Sequence, residues 1–175
     1  SSELKFDLSA NRLEGPLPLF STNVSSLNLS RNRFSGPLSP LCKVNDGGLG
    51  FLDLSDNLLS GQLPNCFMNW PNLLILNLAN NNFFGEVPSS FGFLSMLHTL
   101  SLHDNTFSGD FPNSLKNCSN LRFMDLGNNR FSEKIPAWIA EDLPQLIVLI
   151  LRSNKFSGSI PWDTCKLKYL RILDL

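Results

Sequence analysis

The stretch FLDLSDNLLSGQLP, Phe51 to Pro64, changes character halfway along its length. Leu52 and Leu54 are two residues apart, so in an extended strand both face one side while Asp53 faces the other. Asn57 then breaks the alternation. A side-chain amide at a turn can satisfy backbone groups of its own and neighbouring chain segments, as buried polar groups require. Gly61 permits a tight turn, and Pro64 restricts the chain beyond it to an extended entry.

The same phrase, L-x-L-x-x-N-x-[LF]-x-G-x-[ILVF]-P, recurs seven times, each copy preceded three residues upstream by another apolar residue. Its asparagines are Asn11, Asn32, Asn57, Asn81, Asn105, Asn129 and Asn154, spaced 21, 25, 24, 24, 24 and 25 residues apart. An eighth copy begins at Leu173. Glu133 stands where the repeat has Gly, and Ser39 precedes Pro40 where Pro is expected. The two 25-residue intervals contain Gly47-Gly48 and Glu141-Asp142, extra residues that belong in outer turns, where loop length costs little. The recurring Phe34, Phe83, Phe107, Phe131 and Phe156 read as scaffold beside the Leu, Asn, Gly and Pro positions.

This period and pattern resemble the leucine-rich repeat, in which each repeat forms one coil of a solenoid and contributes one short parallel strand to a shared core. The resemblance implies a right-handed superhelix with a concave parallel β-sheet and short 3-10 or helical turns on the convex side. The S-G-x-I-P extension is similar to the plant-specific repeat class, which adds a second sheet. Residues 1–175 are read as one unit: seven repeats and the start of an eighth, an uncapped piece of a larger ectodomain. Such a piece in isolation is expected to expose apolar edges and to aggregate.

Longer strings carry the resemblance further, among them LSPLCKVNDGGLGFLDLSDNLLSGQLPNCFMNW, SLKNCSNLRFMDLGNNRFSEKIPAWIAEDLPQL and LRSNKFSGSIPWDTCKLKYLRILDL. These are similar to the ectodomains of plant leucine-rich-repeat receptor-like proteins, especially the ethylene-inducing xylanase receptors. The resemblance implies a plasma-membrane immune receptor facing the apoplast, with a span outside this segment and a short tail without a kinase. It also implies an extracellular protein or peptide ligand, a co-receptor kinase of the somatic-embryogenesis receptor kinase type and an adaptor kinase.

Composition fits a folded chain. Hydrophobic residues make up 42% of the 175, enough for a core, while charged residues at 17% fall below the usual share of about 25%. A net charge of −1 argues against a nucleic-acid partner. The sequence holds no apolar run of the roughly 18 residues that a span requires.

Cys42 and Cys66 are 24 apart and fall at matching places on adjacent coils, about 4.8 Å apart at the strand spacing, so a disulfide between them is expected. Cys118 and Cys165 are two coils apart, roughly 10 Å, and are expected to be buried free thiols. Three N-x-[ST] sequons occur, at Asn23, Asn28 and Asn117, as expected of a chain that passes through the secretory pathway. Asn28 lies between Leu27 and Leu29 and should project from the concave face, whereas Asn117 sits by a scaffold turn.

The outward strand positions are the surface that the scaffold does not dictate. Just before the first strand leucine stand Lys5, Ser26, Phe51, Ile75, Thr99, Phe123, Val148 and Ile172, an apolar stripe where solvent contact is expected. Between the strand leucines stand Asp7, Asn28, Asp53, Asn77, Ser101, Asp125, Ile150 and Asp174, and the next outward positions include Ser55, Ala79, His103 and Arg152. Phe51, Ile75, Phe123, Val148 and Ile150, set among Asp53, Asn77, Asp125, His103 and Arg152, have the aromatic-plus-charged make-up of a protein interface. The same columns also admit a purely structural origin. Parallel strands favour β-branched and aromatic residues at outward positions, and the Asp column can serve the strands themselves.

Enzyme chemistry finds no convergent set of groups. His98 and His103 are five apart at opposite ends of one strand, cysteines occur singly, and no glycine-rich loop precedes a helix. No catalytic residue, metal or cofactor is therefore assigned. The sequence reading is a ligand-recognising receptor segment that binds a microbial protein or elicitor and promotes co-receptor association. Its alternatives are a secreted inhibitor of a wall-degrading enzyme, of the polygalacturonase-inhibiting type, and a receptor-kinase ectodomain for a peptide or hormone.

Overall fold

The computed structural model describes residues 3–20 and 23–175. Each repeat makes one coil, and each coil lays down two short strands. The concave sheet takes β1 (Leu4–Asp7), β3 (Val24–Asn28), β5 (Phe51–Asp53), β7 (Ile75–Asn77), β9 (Thr99–Ser101), β11 (Phe123–Asp125), β13 (Val148–Ile150) and β15 (Ile172–Asp174). All its pairings are parallel, in the order β1-β3-β5-β7-β9-β11-β13-β15. The second sheet runs β2 (Glu14–Gly15), β4 (Arg33–Gly36), β6 (Leu58–Gly61), β8 (Asn82–Gly85), β10 (Thr106–Gly109), β12 (Arg130–Lys134) and β14 (Lys155–Ser157). Short 3-10 segments such as Phe67–Asn69 and Ser89–Phe93 close the convex side, with one α-helical turn at Ile139–Asp142. The two 25-residue intervals place their extra residues in that return path. This is the plant-type leucine-rich-repeat solenoid.

Inward positions of successive coils fuse into one core. Leu52, Leu54, Leu76, Leu78, Leu100, Leu102, Met124, Leu126 and Leu149 are fully or almost fully buried. On the opposite wall of the core Phe83, Phe107, Phe131 and Phe156 form a stack, with ring centroids 6.2, 6.3 and 6.4 Å apart and planes within 17° of parallel. Such offset stacks add to the area that each ring buries. Trp70 is fully buried, and its indole N–H donates to the Val44 carbonyl at 2.6 Å.

The repeat asparagines tie the coils together. Asn57 Nδ2 faces the carbonyls of Leu54 and Ser55 in its own coil and of Leu29 in the coil before, while its Oδ1 accepts the Phe34 N–H at 3.0 Å. Asn32, Asn81, Asn105, Asn129 and Asn154 repeat this geometry. Asn11 in the first coil is exposed and, among the described residues, bonds the Leu8 and Ser9 carbonyls of its own coil. Just before each asparagine the chain takes a left-handed step, at Ala10, Arg31, Asp56, Asn80, Asp104, Asn128 and Ser153, with φ between 52° and 57°. The repeat Gly is also left-handed, and Glu133 is forced into that conformation in its place, at φ 64°.

Cys42 and Cys66 form a disulfide across adjacent coils, their Cα atoms 5.8 Å apart. The two remaining cysteines part company. Cys118 is buried and its thiol is pushed up to about 12 by burial. Cys165, expected to be buried, is exposed, because it stands 11 residues after Asn154, the outward place held by Gly92 and Lys116 in earlier coils, whereas Cys118, 13 after Asn105, takes the inward place of Leu94 and Leu167.

Candidate functional surface

Strand register converts the outward residues into columns running along the solenoid. Ser26, Phe51, Ile75, Thr99, Phe123, Val148 and Ile172 are successive partners across the concave sheet. All but the last are half-buried, and Ile172 is exposed. This row is apolar from coil three onward except at Thr99, and solvent reaches it.

The next column has its own structural duty. Asp53 Oδ1 accepts the N–H and the hydroxyl of Ser55 at 2.9 and 2.7 Å, and the same bond from two residues on is made at Asp7, Asn28, Asn77 and Asp125. These bonds fix the turn that leaves the strand. The hydroxyl and then the N–H of Ser9 hold the Asp7 carboxyl below its usual range. One side-chain bond crosses between strands in this column, from Asn77 Nδ2 to Asp53 Oδ2 at 3.4 Å. Ser55 and Ala79, expected to face outward, are buried. Their small side chains lie at the floor of a hollow also lined by Asp53, Asn77 and His103, while the larger His103 and Arg152 at the same repeat position reach solvent.

His103 and Arg152 depart from this small-residue position. His103 Nδ1 lies 2.9 Å from the Ser101 hydroxyl and 3.2 Å from Asp125 Oδ2, and its Nε2 is 3.7 Å from Asp104 Oδ2. Arg152 reaches Asp174 at 3.4 Å and stays largely exposed. Gly127 between them leaves a small polar notch walled by His103, Asp104, Asp125, Asn128 and Arg152. Phe123, Val148 and Ile150 lie beside it through the sheet register, while Phe51 with Asp53 and Ile75 with Asn77 lie three and two coils before Phe123, Asp53 and Asn77 sharing a hollow with His103.

A row missed in the sequence borders this surface. The left-handed residues carry a second ladder, Asn80 Nδ2 to Asp56 Oδ1 at 2.9 Å and Asn128 Nδ2 to Asp104 Oδ1 at 2.8 Å, with Arg31 4.0 Å from Asp56. The signal was present in the alternation of Asp and Asn at Asp56, Asn80, Asp104 and Asn128, the non-glycine types that best tolerate left-handed backbone. Among the described residues no group of three or more His, Cys, Asp or Glu is arranged to hold a metal. The Asp column is engaged by its own turns, which leaves it poorly suited to the paired acid and base of a glycosidase.

A solenoid of parallel coils with an asparagine ladder inside and a variable strand face outside is the architecture of a leucine-rich-repeat protein. The Leucine Rich Repeat family profile matches residues 23–44, 48–70, 72–94, 96–118, 120–141 and 145–167, and the chain belongs to that family. Within it the chain is similar to the receptor-like protein EIX2 of Solanum lycopersicum, 48% identical over 161 residues that cover 92% of this chain and 16% of the relative. A shorter match, 40% over 79 residues, is to receptor like protein 23 of Arabidopsis thaliana and covers 39% of this chain and 8% of that one. The chain thus spans about a sixth of its tomato relative. Among solved structures, the plant peptide hormone receptor RGFR1 in complex with RGF2 superposes with a TM-score of 0.90 at 30% identity, over 98% of this chain and 27% of that one. The Arabidopsis receptor kinase HAESA, in complex with the peptide hormone IDA and the co-receptor SERK1, gives 0.86 at 30% identity, over 98% and 33%.

Proposed function

We propose that this chain is part of the ligand-recognition ectodomain of a plant cell-surface immune receptor, anchored by a span outside residues 1–175. Its concave face binds an extracellular microbial protein or elicitor, and the bound ligand promotes association with a co-receptor kinase of the somatic-embryogenesis receptor kinase type and with an adaptor kinase. One observation supports this above the others: the stripe of Phe51, Ile75, Phe123, Val148 and Ile172 is reached by solvent although the inward positions already supply the core. A few such apolar anchors beside His103, Asp125 and Arg152 suit a protein interface, in which a minority of residues carry the affinity. Similarity to EIX2 favours the receptor-like class. The second reading, a receptor-kinase ectodomain for a peptide, draws support from the hormone-bound neighbours at lower identity.

The test uses the secreted polypeptide that carries these repeats, mixed with microbial culture filtrate and a co-receptor kinase ectodomain. Ligand-dependent recovery of the co-receptor supports the proposal. Stable capture of a wall-degrading enzyme that loses its activity, with no co-receptor recovered, supports an inhibitor instead.

A further inference from the structure

The scaffold itself limits where glycans can attach. Every ladder asparagine is followed two positions later by a leucine or phenylalanine, Leu13, Phe34, Leu59, Phe83, Phe107, Phe131 or Phe156. Because that position is apolar, no ladder asparagine can satisfy N-x-[ST]. The sequons fall elsewhere, and the structure puts them on different faces. Asn23 precedes β3 on the rim of the sheet, and Asn117 ends the 3-10 segment Asn113–Asn117 on the convex side. Asn28 is the last residue of β3 and stands in the concave column between Asp7 and Asp53.

We infer that Asn28 carries an N-linked glycan on the concave face, and that this glycan covers the early coils and leaves the later ones open for ligand. Asn28 Oδ1 is held by the Ser30 N–H at 3.2 Å and the Ser30 hydroxyl at 2.8 Å. Among the described residues its Nδ2, the atom that bears the sugar, donates to no protein group, unlike the ladder amides, each of which is committed to two or three carbonyls. Asn28 also lines two neighbouring hollows, one with Lys5, Phe6, Asp7, Ser26 and Phe51 and the other running past Asp53, Asp56, Asn77 and Asn80 to His103. A sugar chain leaving this atom has space on both sides and no core residue to displace. The corresponding residue in the next coils is Asp53, then Asn77, whose sequence Asn77-Leu78-Ala79 is not a sequon.

The glycan therefore splits the candidate surface in two. Phe51 and Asp53 are one strand from Asn28, about 4.8 Å, whereas Asp125 is four strands away, roughly 19 Å. Ligand contacts are directed to Phe123, Asp125, Val148, Ile150 and Arg152, beyond the hollow that Asn28 shares with His103. This division of the surface rests on the concave-face reading given above, while occupancy of Asn28 does not.

The experiment uses the polypeptide carrying these repeats, secreted from plant cells, with the Asn28 peptide examined by mass spectrometry after enzymatic deglycosylation. The expected result is the Asn-to-Asp mass signature at Asn28. Carboxylates of the folded protein are then labelled with a carbodiimide and glycine ethyl ester, before and after native trimming to a single sugar. Trimming is expected to raise labelling of Asp7 and Asp53 several-fold and to leave Asp125 unchanged. Ser30→Ala, which removes the sequon and keeps Asn28, is expected to match the trimmed protein, and trimming alone suffices if that variant folds poorly. An unmodified Asn28 overturns the inference, and so does an occupied Asn28 whose trimming leaves Asp7 and Asp53 unchanged. Neither result bears on whether the later coils bind ligand, which fails separately if replacing Phe123 and Val148 changes no partner.

Discussion

Two ladders of polar side chains run the length of this solenoid with the same period and opposite tolerance. The inner one, Asn32 to Asn154, never varies, while the outer one reads Asp7, Asn28, Asp53, Asn77, Ser101, Asp125, Ile150 and Asp174. Burial makes the difference. An inner amide replaced by any other group leaves buried carbonyls and an N–H without partners, whereas an outer carboxylate that is lost can be replaced by water. Freedom on the outer face is what lets it hold Ile150, and beside it His103 and Arg152, without cost to the fold. Binding chemistry can be written there because stability is written elsewhere.

That contrast breaks first at the inner ladder. Asn105→Leu is expected to cost about 3 kcal/mol or more, a fall in melting temperature on the order of 10 °C, because it orphans carbonyls of Leu78, Leu102 and His103 and the Phe83 N–H. Thermal melting of the secreted polypeptide reads it. Replacing Cys42 and Cys66 together by Ser opens a 24-residue loop and is expected to cost about 3 kcal/mol in the chain-entropy account, measured by denaturant titration. Glu133→Gly should act in the opposite direction and stabilise by about 1 kcal/mol, since Gly takes the left-handed φ of 64° without strain. Asp53→Ala on the outer ladder is expected to change stability by less than about 1 kcal/mol, the smallest effect of the series.

The thiols sharpen the same inside-versus-outside comparison by chemistry. The Cys118 thiol, raised to about 12 by desolvation, stays protonated at neutral pH and in a buried site, so iodoacetamide should leave it intact in the native protein and label exposed Cys165. Equal labelling of both by peptide mass spectrometry would contradict the burial assigned to Cys118.

The fold was legible because each inward position is constrained every turn: Leu52 and Leu54 set the strand, Asn57 the turn, Gly61 and Pro64 the return, and the spacing repeats them. The strand columns followed from that register. Three things did not. Ser55 and Ala79 are buried because small side chains at that outward position sit below their neighbours, a depth that alternation alone does not give. Cys165 stands two places earlier in its coil than Cys118 does in its own, and that offset from the repeat asparagine, which coil counting ignores, sets it on the outward side. The left-handed Asp and Asn row was visible only in residue type, since a φ angle leaves no periodic trace of hydrophobicity. What the outer face binds was legible least, because its residues are those released from the repeat.

The most direct measurement is a paired capture from microbial culture filtrate, using the secreted polypeptide and its Phe123→Ala/Val148→Ala variant, after showing that both are folded by melting. The account predicts that proteins recovered with the native chain are lost or strongly depleted with the variant, together with ligand-dependent recovery of the co-receptor ectodomain. An identical set of partners, recovered equally by a folded variant, would contradict the assignment of the concave face as the ligand surface.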